Sequence, residues 1–149
     1  MLTRRAVMMS AIAIPFLANA AIAEPKWVYA PFGFAIGGID PVAYFRTGAV
    51  VEGSHSESVT WRGARWCFDN SVNREAFERD PHAFAPRYGG HCALALSSGA
   101  LAPSDPEAWT IYDGELFLNH SLTAREVWLR DSKTHVAQAD RNWQRFVWG

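Results

Sequence analysis

The spacing of apolar and polar residues along this chain predicts two β-hairpins set among helical segments. In Val59-Thr60-Trp61-Arg62-Gly63-Ala64-Arg65-Trp66-Cys67-Phe68 the large apolar residues recur with the period of two that marks a half-buried strand. Gly63-Ala64 suits a type II′ two-residue turn. That register sets Trp61 opposite Trp66 and Val59 opposite Phe68, with Thr60 and Cys67 on the other face. The second hairpin, Trp109 to Asn119, turns at Asp113-Gly114, a dipeptide suited to type I′. Its core face would be Trp109, Ile111, Leu116 and Leu118, with Tyr112 and Phe117 behind. Cys92-Ala93-Leu94-Ala95-Leu96 reads as a further short strand, ended by Ser97-Ser98-Gly99.

Helical signals fill the intervals. Asn70 or Ser71 can cap a helix that runs to Arg79 and stops before Pro81. Thr123 and Glu126 have capping-box spacing, with Leu122 and Val127 as a hydrophobic staple. Leu129, Ser132, Val136, Ala139, Trp143 and Phe146 then keep a three-four spacing, which predicts two C-terminal helices or one kinked helix. Asp40-Pro41, Asp80-Pro81 and Asp105-Pro106 mark turns, through aspartate's local hydrogen bonds and proline's fixed φ. The expected class is α+β: a small antiparallel sheet built from hairpins, with helices packed on it. No repeat or low-complexity tract stands out.

Residues 1–23 read as an export signal. Arg4 and Arg5 form its positive end, Ala6 to Ala18 its apolar stretch, and Ala21-Ile22-Ala23 the cleavage site. The apolar stretch is shorter than the roughly 20 residues that span a bilayer. Thr3-Arg4-Arg5-Ala6-Val7 resembles the twin-arginine signal. Residues 24–149 are then one domain, periplasmic or secreted, meeting a membrane only through an uncleaved signal. Lys+Arg number 14 against 15 Asp+Glu, and loss of Arg4 and Arg5 makes the remainder more acidic. Such a balance argues against a nucleic-acid partner. Seven tryptophans, nine phenylalanines and four tyrosines provide ample area for a core.

Candidate chemistry rests on few residues. Cys67 and Cys92 either form a disulfide, closing a loop of about 25 residues for about 3 kcal/mol, or stand as two thiols. His55, His82, His91, His120 and His135 are the imidazoles, and none has C-x-x-C or H-x-x-x-H metal spacing.

Three groups of motifs resemble the YHS-domain family in its stand-alone exported branch. They are Gly38-Ile39-Asp40-Pro41-Val42-Ala43-Tyr44-Phe45, the Trp61-to-Phe68 hairpin with Asn73-Arg74-Glu75-Ala76-Phe77, and Ala85-Pro86-Arg87-Tyr88-Gly89-Gly90-His91-Cys92-Ala93. Pro106-Glu107-Ala108-Trp109, Asp113 to Asn119 and Ala139-Asp140-Arg141-Asn142-Trp143 extend the resemblance to nearly the whole mature chain. It implies a small α+β domain of a kind that accompanies metal-transport ATPases and oxygenase components. The cysteines thought to bind metal in those branches are replaced here by Ala43 and by Asp69, Asn70, Ser71, Val72 and Asn73.

The leading expectation is a carrier or accessory factor for a transition metal, copper before others, serving a metal transporter or metalloenzyme. Its ligands would be Cys92 and His91, with His82 and Cys67 in reserve, since thiolate and imidazole both suit copper. Adjacent His91 and Cys92 reach one ion only if the Gly89-Gly90 turn continues past them. A second reading is a metal-free domain that binds a ligand or partner, with Tyr44, Tyr88 and Tyr112 as polar handles. A third is a thiol enzyme using Cys92, with His91, His82 or His120 as base and Asp40 or Asn119 orienting it.

Overall fold

In a computed structural model, which describes residues 27–148, both expected hairpins form. The export signal expected over residues 1–23 lies outside the described residues. β1 (Ser54–Trp61) pairs antiparallel with β2 (Ala64–Phe68), and β3 (Asp105–Tyr112) with β4 (Glu115–Asn119), as two separate two-stranded sheets. Asp113-Gly114 takes φ of 51° and 75°, as a type I′ turn requires, and pairs Trp109 with Leu118 and Ile111 with Leu116.

The first hairpin turns one residue earlier than expected. Arg62 and Gly63 are its central pair, with φ of 50° and 75°, so Val59 faces Trp66 and Trp61 faces Ala64. The slip moves Ala64 out of the turn and into the buried cluster of Trp66, Phe68 and Phe77. Trp61 and Trp66 still share a face, now diagonally, with ring centroids 5.7 Å apart.

Helices α1 (Pro41–Arg46), α2 (Ser71–Arg79), α3 (Pro81–Phe84), α4 (Ala93–Ser97), α5 (Leu122–Arg130) and α6 (Ser132–Trp148) complete the α+β fold. Asn70 caps α2 as expected, its Oδ1 accepting from the Asn73 N–H at 2.9 Å. Two expectations fail. The cap of α5 is Ser121, whose Oγ accepts from the Ala124 N–H at 3.1 Å; Leu122 and Val127 stay exposed, so the Thr123–Glu126 box and its staple do not form. Cys92 to Leu96 is no strand, because Cys92 caps helix α4 instead. Alanine and leucine are strong helix formers, and this preference outweighed the short apolar run.

The element order also reveals a repeat that the sequence reading missed. A turn with a Gly pair, a capped short helix, a hairpin and a capped second helix occur over residues 35–80 and again over 87–131. Ile36-Gly37-Gly38 and Tyr88-Gly89-Gly90 all have positive φ. The Asp40 N–H bonds Val51 O at 2.8 Å, and the Cys92 N–H bonds Ala102 O at 3.0 Å. Both hairpins slip register at the same place, between Ser54 and Ser58 and between Asp105 and Trp109. Even the aromatic packing repeats: Trp66 lies 5.1 Å from Phe77 at 31°, and Phe117 lies 5.0 Å from Trp128 at 36°. Trp61 meets Phe77 edge-on at 89°, and Tyr112 meets Trp128 at 86°.

The repeats part company after their second helix. α6 has 17 residues and lays Val136, Trp143 and Phe146 on the buried cluster of the second repeat, whereas α3 has four residues. A cleft opens beside Trp61 and Trp66. Ile36, Tyr44, Leu116 and Leu118 form a third buried cluster, which joins the halves. No helix among the described residues is long and apolar enough to cross a membrane.

Candidate functional site

The cleft measures about 240 Å³ and lies where the two repeats meet. One wall is the tip of the first hairpin. Type I′ geometry places the Arg62 guanidinium 4.6 Å over the Trp61 ring, a cation–π contact. The His82 ring abuts Trp61 at 5.4 Å and 87°. Trp66 is fixed behind it, its indole N–H donating to Trp61 O at 3.0 Å.

The far side is built on the second glycine turn. Gly89 has φ of +62°, and a Cβ there would lie 1.7 Å from Trp27 O, so only glycine lets the Trp27 backbone pass. The Tyr29 N–H donates to Gly89 O at 2.9 Å and fixes that crossing. Arg87 donates to Glu115 at 2.8 Å and to Asp140 at 2.7 Å, tying the second hairpin to α6. The Tyr88 hydroxyl also donates to Asp140 at 2.8 Å. Burial, then that bond to a carboxylate, raise its pKa well above the ordinary phenol range, so it remains a donor. Trp143 of α6 completes the rim, 6.1 Å from the Tyr88 ring. Of the four expected site residues, only His82 borders this cleft.

The other three are placed differently. The glycine turn closes at Gly90 and the backbone is extended at His91 (φ −67°, ψ 159°), so the side chains of His91 and Cys92 diverge. His91 packs against Tyr29 at 5.9 Å and Trp143 at 6.2 Å. The Cys92 sulfur, 1% exposed, accepts from the N–H groups of His120 at 3.2 Å and Ala95 at 3.5 Å and faces Asn119 Oδ1 at 3.7 Å. Cys67 is buried on β2 opposite Ser58, and burial pushes its thiol pKa up, with Arg65 opposing. Both cysteines are free thiols. Among the described residues, no three or more His, Cys, Asp or Glu side chains are grouped to hold a metal. His91, Cys92 and Cys67 lie in different surroundings, and the sulfur of Cys92 already receives two backbone N–H groups.

The thiol-enzyme arrangement also fails to assemble. His120 presents its backbone to Cys92, while its ring bonds Pro103 O at 3.1 Å. Asp40 serves the equivalent position in the other repeat. A second nucleophile–imidazole pair exists, with Ser97 Oγ 3.2 Å from His135 Nδ1. That hydroxyl already donates to Leu94 O at 2.6 Å, so its proton is directed away from the imidazole.

His91 carries a pH prediction. Burial holds its pKa below the ordinary imidazole range, and the Ala102 carbonyl only partly offsets this. The unfolded chain therefore takes up a proton first as pH falls below about 6.5. Stability is full above that value and declines below it, toward the lower folded pKa. Urea midpoints should fall between about pH 7.5 and about pH 5.5, and His91→Gln should flatten the decline.

Trp61, Arg62, Arg87 and Trp143 were absent from the sequence-derived candidates. The expected turn at Gly63-Ala64 hid Arg62, which the observed register puts at the first central position of a type I′ turn, where Asn, Asp or Gly is favoured, as Asp113 obeys. Compared with protein-family models, curated proteins and solved structures, the chain matches none.

Proposed function

We propose that this protein is a non-catalytic binding domain, acting after export, that holds a small ligand in the cleft between its repeats. The observation carrying this reading is the convergence of four tryptophans with Arg62, Arg87 and Glu115 around one concavity. Aromatic walls with a few placed polar groups are the usual make-up of a small-molecule site. The resemblance to the exported YHS branch and the signal-like N-terminus support the expected location.

Titration with 2-phenylethanol, followed by the indole N–H resonances, tests the reading. Signals of Trp27, Trp61 and Trp143 should shift together, and Trp61→Ala should weaken binding at least about fivefold, since a stacking ring contributes about 1 kcal/mol. Shifts confined to Trp109 and Trp128 would place the ligand elsewhere and overturn it.

The copper-carrier reading lacks a comparable convergence of donors. Anaerobic Cu(I) titration is expected to give equal uptake by the wild type and Cys92→Ser. Uptake of one equivalent that disappears in the variant would restore Cys92 as a ligand.

A further inference from the structure

We infer that Arg62 is an anion clamp, and that the ligand of the cleft is a small molecule bearing a carboxylate beside a flat apolar face. This rests on the cleft being a binding site and names the chemistry it selects.

Three observations carry it. Arg62 sits at φ +50°, in a position where a non-glycine residue other than Asn or Asp is strained by about 1 kcal/mol or more. The equivalent turn of the second repeat uses the favoured Asp113, so the hairpin itself does not require arginine. A strained residue retained at a cleft is grounds for a functional hypothesis.

The second observation is charge accounting. Arg87, the other cleft cation, is held by Glu115 and Asp140. Arg62 has no carboxylate partner among the described residues. Among the described residues the cleft thus keeps one guanidinium without a carboxylate partner, the group best matched to two-point recognition of a carboxylate.

The third is geometry. The guanidinium carbon lies 4.6 Å over the Trp61 ring, a cation–π contact that holds the charge at the cleft. Trp27, Trp61 and Trp143 are half-buried and offer apolar surface on the same cleft. A ligand with a planar body and one carboxylate satisfies both features together.

The test compares phenylacetate with its neutral analogue 2-phenylethanol, read by indole N–H shifts, on wild type and Arg62→Asn. Asparagine is favoured at this turn position, so the variant should unfold at the same or a higher denaturant concentration. Wild type should bind phenylacetate at least about fivefold tighter, and Arg62→Asn should lose that preference while retaining 2-phenylethanol binding. Loss of stability in Arg62→Asn together with an unchanged carboxylate preference would make Arg62 structural and overturn the clamp. Equal binding of both probes by wild type would overturn the carboxylate inference and leave the binding cleft standing. Failure of either probe to move the cleft tryptophans would overturn both.

Discussion

Asp40→Ala is expected to lower stability by about 3–5 kcal/mol, a large part of what holds a domain of this size folded. Asp40 is 0% exposed and collects four donors. Its Oδ1 accepts from the N–H groups of Val42 at 2.8 Å and Ala43 at 3.2 Å, starting α1. Its Oδ2 accepts from the Asp69 N–H at 2.9 Å and Asn73 Nδ2 at 2.8 Å, binding the end of β2 and the start of α2 to the same point. Alanine would leave these donors without a partner, and each one buried without water costs about 1–3 kcal/mol. Asp40→Asn should fall between, because one side-chain position becomes a donor facing donors. Urea unfolding followed by tryptophan fluorescence measures both. A loss below about 1 kcal/mol for alanine would show that water reaches the site.

Gly89→Ala should cost about 3 kcal/mol or more, or else displace the Trp27 backbone and spoil the cleft. Two effects combine. The left-handed φ of +62° opposes any Cβ, and that Cβ would meet backbone at 1.7 Å from Trp27 O and 2.6 Å from Trp27 C. Backbone yields far less readily than the end of a side chain. Gly37 is the control, since it holds the equivalent turn position with φ of +71° and nothing within 4 Å of its Cβ. Gly37→Ala should therefore cost only about 1 kcal/mol, the conformational part alone. Similar losses for the two variants would rule out the crossing at Trp27 as the cause.

The repeat makes these positions intelligible. Asp40 and Cys92 hold the same place in their respective repeats. The Asp69 N–H reaches the carboxylate of one, and the His120 N–H the sulfur of the other. A thiol that singles itself out in the sequence, beside a histidine and after two glycines, is in the structure an N-cap and a receiver of backbone hydrogen bonds. Cysteine's chemical versatility made it the natural candidate, and its structural neighbours enclose its sulfur.

The sequence reading missed the repeat, though it leaves a trace in the chain. Arg74-Glu75-Ala76-Phe77-Glu78-Arg79-Asp80 and Arg125-Glu126-Val127-Trp128-Leu129-Arg130-Asp131 share their charged frame and their aromatic position. The intervening stretches obscure the match. Trp66 and Phe117 exchange types, as do Phe77 and Trp128, so the packing is preserved while residue identity is not.

Local chemistry written into the chain determined the elements: two hairpins, the second turning at Asp113-Gly114, the cap at Asn70, and two helices at the C-terminal end, while the first turn fell at Arg62-Gly63 and not at the expected Gly63-Ala64. These depend on neighbours a few residues apart, where turn and capping preferences are strong. Tertiary structure alone decided which aromatic residues became core and which became cleft. That choice depends on the meeting of Trp27, the first hairpin tip, the Tyr88-Gly89 turn and Trp143 of α6, and no local pattern encodes which distant segments will meet.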